Sequence, residues 1–198
     1  MVLNNMIRYL KMVHLTGGMI YYSSPKTITL PEPIVNVNGT SYNTYYLSSN
    51  KSDYSYSPHC PFRSFNSSIM TSQTSGSSGI TSIMFGNGTT PVAETDYSLQ
   101  NPITSGLSIV SLIQNPTYTL SDDGNRFTQS VHLEIGLKNT SNSPINVSEV
   151  GFYDQLITTT TAGSTKILLH REVFDTVTID AGTIGSFVFD FTIERNIA

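Results

Sequence analysis

The side chains able to do chemistry are few in this sequence, and they are scattered. Cys60, the only cysteine, stands beside His59. A thiol next to an imidazole suggests zinc or a nucleophile. Zinc, however, needs more thiols or a nearby histidine pair, and His14, His132 and His170 lie far away along the chain. The expectation is a small apolar residue beside a loop histidine, with no intrachain disulfide and no metal. Asp122 and Asp123 in "SDDGN" offer two carboxylates, yet calcium takes roughly six to eight oxygens, so Ser121–Asn125 reads as a hairpin turn. Serine is abundant enough to leave a Ser-His-Asp triad open, and only geometry reveals one. No pair among the fourteen acids stands out as a sugar-hydrolysing couple. The G-x-S-x-G, P-loop, H-E-x-x-H and dinucleotide fingerprints are missing. Gly86-Asn87-Gly88 runs into Pro91 rather than a helix, so it does not cradle phosphate. The expectation is no catalytic residue, no cofactor-binding residue and no metal ligand.

Two further sets bear on function. Tyr45, Tyr46, Tyr54 and Tyr56 are platforms on which a sugar ring could stack, or rings that merely cover polar sheet. Arg171 shares the phase of Ile167, Leu169 and Val173, and Glu149 sits at a break of phase in another strand-like run. If both point inward they must pair, because an unpaired buried charge costs several kcal/mol. The alternative is two exposed side chains.

The elements that would hold these residues are β. "RFTQSVHLEIGLK" places Phe127, Val131, Leu133, Ile135 and Leu137 on one face. Thr128, Ser130, His132, Glu134 and Lys138 fall on the other, which makes His132 a solvated sheet residue. "SFVFDFTIER" sets Phe187, Phe189, Phe191 and Ile193 on one face, and its three phenylalanines predict the centre of the core. In "INVSEVGFYD" the apolar phase slips between Ser148 and Glu149, which predicts a β-bulge or a change of sheet. "TVTID" is a further strand and "AGTIG" its turn. Asn38-Gly39, between two strand-like runs, predicts a two-residue type I′ hairpin. The sum is an all-β fold, an antiparallel β-sandwich or jelly-roll-like domain over 25–198, with a short N-terminal arm at 1–24. A long Ser/Gly/Tyr-rich loop is expected at about 48–79, the natural variable surface. In the arm, Met6, Leu10 and Val13 have helical spacing, although strand alternation fits as well.

Charged residues are only 12% of the chain and the net charge is −4, with no cluster of basic residues. Counterion-release binding needs such a cluster, so no direct nucleic-acid partner is expected. Arg8, Lys11 and His14 interrupt the apolar N-terminus, which is therefore not a secretory signal. No run approaches the ~20 apolar residues of a membrane span. The expectation is a soluble protein, made in the cytoplasm, with no membrane partner. Six glycosylation sequons, at Asn38, Asn50, Asn66, Asn87, Asn139 and Asn146, carry little weight in a chain so rich in Asn, Ser and Thr.

One order of segments is more particular. "FGNGTTPVAETDYSLQNPI" is followed by an alternating strand, then "VSEVGFY", then "LLHREVF", then "VTIDAG" and a last aromatic strand. Over residues 80–194 this order resembles small all-β structural proteins of tailed bacteriophages. The resemblance implies a non-enzymatic virion component, associated with neck, tail or capsid and made in the host cytoplasm. Its implied partners are other virion proteins and further copies of itself, as a homo-oligomer. A surface low in charge suits life in an assembly. The first 79 residues have no place in the resemblance. Phe85–Ile103 is then a connector, in which Gly86 and Gly88 supply positive φ, Thr90-Pro91 an extended path, and Asp96–Leu99 an anchor. The alternative is a glycan- or receptor-binding β-module of a tail fibre or surface adhesin, with a host glycan as partner.

Overall fold

The computed structural model describes residues 5, 8, 26–47, 65–69, 81–120, 126–157 and 164–196. The elements are all strands: β1 Lys26–Val35, β2 Ser41–Leu47, β3 Phe65–Ile69, β4 Thr81–Gly86, β5 Leu107–Leu120, β6 Arg126–Asn139, β7 Ile145–Ile157, β8 Ser164–Ile179 and β9 Ile184–Asn196. They form a hairpin β1-β2, a sheet ordered β3-β4-β7-β8 and a sheet ordered β5-β6-β9. Pairing is antiparallel except for β3, which runs parallel to β4. β3 lies within the stretch expected to be a loop at 48–79. His14, His59, Cys60, Tyr54, Tyr56, Asp122 and Asp123 fall outside the described residues, as do the side chains of Tyr45, Tyr46, Phe127 and Ile193.

The two larger sheets pack face to face as a sandwich, and the alternation of the sequence places its core. Val131, Leu133, Ile135 and Leu137 from β6 are buried with Phe187 and Phe189 from β9. They meet Phe85 of β4, Val150 and Phe152 of β7, and Ile167 and Leu169 of β8. Phe189 lies 5.8 Å from Phe152 in an edge-on contact, 6.0 Å from Phe174 and 6.4 Å from both Phe85 and Phe187. These are the separations at which aromatic pairs attract beyond their buried area. Phe191 is only half-buried at the edge of the cluster, where its ring stacks on His170 at 5.1 Å. His170 thus serves packing.

β4 and the middle of β7 and β8, over 147–154 and 166–171, are buried on both faces. Their second face carries Met84, Tyr153 and Leu168, which pack with Val37 and Leu99. Val37 belongs to the β1-β2 turn and Leu99 to the long connector between β4 and β5. Among the described residues the sandwich therefore has a third, irregular layer on the β4-β7-β8 side.

The phase slip at Ser148 is real. Register between β7 and β8 breaks between Val147 and Glu149, and again between Phe152 and Tyr153. At the second break His170 and Leu168 pair with adjacent residues of β7, so Leu169 is an extra residue on β8. A bulge of this kind turns every later side chain to the opposite face. Ile167 and Leu169 point into the core, whereas Arg171, opposite Gly151, lies under the connector. The shared phase of Arg171 with Ile167 and Leu169 does not survive the bulge.

Two turns differ from expectation or extend it. At Asn36–Thr40 the bonds Asn36 N to Thr40 O (2.9 Å) and Gly39 N to Asn36 O (2.9 Å) enclose three residues, with Gly39 at φ 79°. This is the three-residue loop ending in a left-handed glycine, not the two-residue type I′ turn. Asn36 selects it by accepting from Asn38 N and Thr40 N through its side-chain oxygen. At the other end of the molecule Asn139 is fully buried where the chain crosses between sheets. Its amide donates to Ser143 O (2.7 Å) and Ile179 O (2.8 Å), and its oxygen accepts from Ser141 N and Ser141 Oγ. The sequon at this position is spent on the fold. Asn139→Ala leaves the buried Ile179 carbonyl without its side-chain donor, while Ser143 O keeps Ser141 Oγ, and a loss on the order of 1–3 kcal/mol in denaturant unfolding is expected. A loss within error of zero would show that the crossing does not depend on it.

The arm touches its own domain. Asn5 and Arg8 have helical backbone. Buried Asn5 donates to Val35 O (2.7 Å) and accepts from Val35 N (2.9 Å), as a neighbouring strand would. Arg8 reaches Glu32 at 3.3 Å.

Candidate functional site

The densest polar cluster lies beneath the β4-β5 connector and is built on Glu149 and Arg171, both fully buried. Arg171 Nε donates to Glu149 Oε1 at 2.6 Å. Its Nη1 donates to Asp96 Oδ2 at 2.7 Å and its Nη2 to Thr90 O at 3.1 Å. Glu149 accepts further bonds from the backbone of the connector: Gln100 N at 2.9 Å on Oε1, and Gly88 N and Asn101 N at 3.3 Å on Oε2. Ser148, turned inward by the register break, donates through Oγ to Gly88 O at 3.1 Å. Asp96 also caps Ala93 N at 3.0 Å.

Two side chains from the sheet thus fix both legs of an excursion that has no regular structure of its own. Its ends are clasped by Asn87 N to Asn101 O (3.0 Å) and Ile103 N to Phe85 O (2.9 Å), and the side chains of Asn101 and Asn87 bond to each other. Leu99 plugs the layer below against Tyr153. Burial pushes the Tyr153 phenol well above its usual range, with a hydrogen bond to the Leu99 backbone working against that.

Gly86 and Gly88 are needed here, though not for the expected reason. Neither has positive φ, which among the described glycines occurs at Gly39, Gly106 and Gly182. A Cβ on Gly86 would stand 2.5 Å from Glu149 Oε2 and 2.8 Å from Asn101 O. One on Gly88 would stand 2.7 Å from the same carboxylate oxygen and from Gln100 Cβ. The glycines let the connector approach the buried carboxylate closely enough to bond it.

In chemical terms this arrangement is closed. Both oxygens of Glu149 and all three guanidinium nitrogens are engaged, and bonding of this kind is what makes a buried ion pair tolerable. Lys166, buried beside Asp154, has its ammonium pKa lowered by burial, with Asp154 opposing the shift.

The other group of titratable side chains is exposed. His132 faces solvent from β6, as its phase requires. Its Nδ1 lies 2.7 Å from Asp190 Oδ1 on β9, and its Nε2 lies 2.9 Å from Glu134 Oε1. Beside it is a shallow groove of about 360 Å³ lined in part by Asn115, Thr117, Ser130 and Thr192. Ser130, His132 and Asp190 are therefore neighbours, which tests the triad directly. The nitrogen that would take a proton from serine is held by Glu134, and Ser130 Oγ bonds Thr192 Oγ1 at 3.1 Å instead. The constellation lacks the serine–histidine bond that a triad requires.

Two carboxylates flanking one imidazole favour its cationic form, in which both nitrogens donate. The hydrogen bond to Glu134, then that to Asp190, raises the His132 pKa above 6.5. Any stability this group contributes is fully present below the unfolded value near 6.5 and is lost as pH rises through the higher folded value. An NMR titration of the ring protons should show a midpoint above 6.5, moving down in Glu134→Gln and in Asp190→Asn. An unshifted midpoint would remove the double hydrogen bond.

Among the described residues no cluster of three metal-ligating side chains occurs, and no helix is long and apolar enough to cross a membrane. Neither a protein-family model, nor a curated protein, nor a solved structure gives a significant match to this chain.

Proposed function

We propose that the protein is a non-enzymatic structural subunit of a tailed-phage particle, in the neck, tail or capsid-associated layer, acting through contacts with copies of itself and other virion proteins. One observation carries the reading. The segments whose order resembles phage structural proteins are the segments that meet in the buried network. "FGNGTTPVAETDYSLQNPI" supplies Gly86, Gly88, Asp96, Leu99 and Gln100, "VSEVGFY" supplies Glu149 and Tyr153, and "LLHREVF" supplies Arg171. They hold a connector in place, with both carboxylate oxygens of Glu149 and all three guanidinium nitrogens of Arg171 engaged in doing so. A signature spent on shape suits a protein whose task is to present a rigid surface, since assembly needs preformed geometry more than reactive groups.

Mass spectrometry of purified particles tests this. The protein is expected in them in multiple copies per particle. Its absence from intact particles would overturn the proposal.

A further inference from the structure

We propose that the outer face of the β5-β6-β9 sheet is a two-fold contact with a second copy of this chain. The proposal rests on the reading of the protein as an assembly subunit and names the surface involved. Among the described residues the middle of the β4-β7-β8 sheet is covered on both sides, but the β5-β6-β9 sheet on one only. Its open face carries Val110, Ile113, Ile184 and Val188, each between 49% and 60% exposed. Large apolar side chains set against solvent on one face, here flanking Glu134 and Lys138, mark a surface that meets something.

The register orders this face in rows. Ile113, Glu134 and Val188 lie side by side, and the next outward-facing row toward the end of β6 is Ser111, Gly136 and Ser186. The row after that is Ser108, Lys138 and Ile184. The β5 register breaks at Val110, whose side chain lies with that of Ser111 over Gly136. An anion and a cation, Glu134 and Lys138, thus stand one row to either side of Gly136. Val188 and Ile184 stand likewise to either side of Ser186.

That spacing is self-complementary. A two-fold axis running across the strands through the Gly136 row reverses strand direction and lays β6 over β6 and β9 over β9. Lys138 then faces the second copy's Glu134, twice by symmetry, and Ile184 faces the second copy's Val188, also twice. An isologous contact requires this reciprocity. Among the described residues Lys138 enters no ion pair within its own chain. With the axis at Gly136 only residues 133–139 of β6 lie over their own copy, so three strands ~4.8 Å apart over rows spaced ~3.4 Å give a flat area of roughly 340 Å² for each copy. The pair then buries on the order of 700 Å², below the ~1,200 Å² of stable interfaces, so the contact is a weak one that shows at high protein concentration and gains strength when repeated in an assembly.

The test is analytical ultracentrifugation of the full chain, with charge-swapped variants. The wild-type protein should show a concentration-dependent monomer–dimer equilibrium. Lys138→Glu and Glu134→Lys, each alone, set like charges together and should weaken dimerisation roughly tenfold or more. The double swap should restore it. Val188→Arg, at an exposed position that leaves the core untouched, should also abolish it, and unfolding curves check that each variant folds. A wild-type monomer at all concentrations, single swaps without effect, or a double swap that restores nothing would each overturn the proposal. A monomer that is nevertheless present in purified particles removes this face and leaves the assembly reading standing. A dimer never found in particles does the reverse.

Discussion

Arg171→Met is expected to lower stability by about 3–5 kcal/mol, the usual consequence of removing one partner from a buried ion pair. The methionine replaces most of the volume, so the loss is electrostatic. Glu149 and Asp96 would be left facing each other with no cation between them. In a chain of this size each kcal/mol shifts Tm by ~2–4 °C, so the midpoint should fall by roughly 6–20 °C. The companion variant Glu149→Gln/Arg171→Met removes both charges and keeps one acceptor oxygen for the connector amides, with its NH2 set against the remaining one. It should be more stable than Arg171→Met alone. If the double variant is less stable than the single one, the charge of Glu149 is not what Arg171 compensates.

Phe189→Ala is expected to cost about 3–5 kcal/mol as well, through a different term. Its ring touches Phe85 of β4, Phe152 of β7, Phe174 of β8 and Phe187 of its own strand. The cavity would open between the two sheets, where rigid rings on four strands cannot collapse to fill it. An unchanged denaturant midpoint would mean that the sheets are not held together at this point. Phe191→Ala, at the half-buried edge, should cost distinctly less.

The contrast between those two phenylalanines shows what sequence pattern conveys. Strict alternation in β6 and β9 identified one wall of the core, because a strand with one solvated face must keep period two. Alternation cannot say how far along a strand the partner sheet extends, and Phe191 lies near its rim. The pairing of Glu149 with Arg171 was legible from the cost of burying either one alone. Its location was not, because the Leu169 bulge reverses the face on which Arg171 lies, and nothing in "KILLHREV" announces an extra residue. Asp96 was legible as an anchor only through the resemblance, and its partner emerges only when the connector is folded back 75 residues in sequence from Arg171. β5 escaped notice for a related reason: the break at Val110 shifts Leu107 and Ile109 out of phase with Leu112. β3 pairs in parallel across a long excursion, a contact local pattern does not encode. The polar outer row at His132 was legible as solvated, with Glu134 two residues on along the same face, but Asp190 is brought beside it only by strand register.

The buried Glu149–Arg171 network is proposed to lock the β4-β5 connector into one shape. Native-state hydrogen exchange at the amides of Gly88, Gln100 and Asn101 tests it most directly, since these three donate to Glu149. Irregular connectors normally exchange through small local openings, whereas core strands exchange near the global unfolding energy. The lock predicts that these amides are protected to nearly the same level as those of Val150 and Phe152 in β7, and that Arg171→Met lowers their protection more than it lowers that of β7. Exchange at the rate of an open loop in the wild-type protein would contradict the claim.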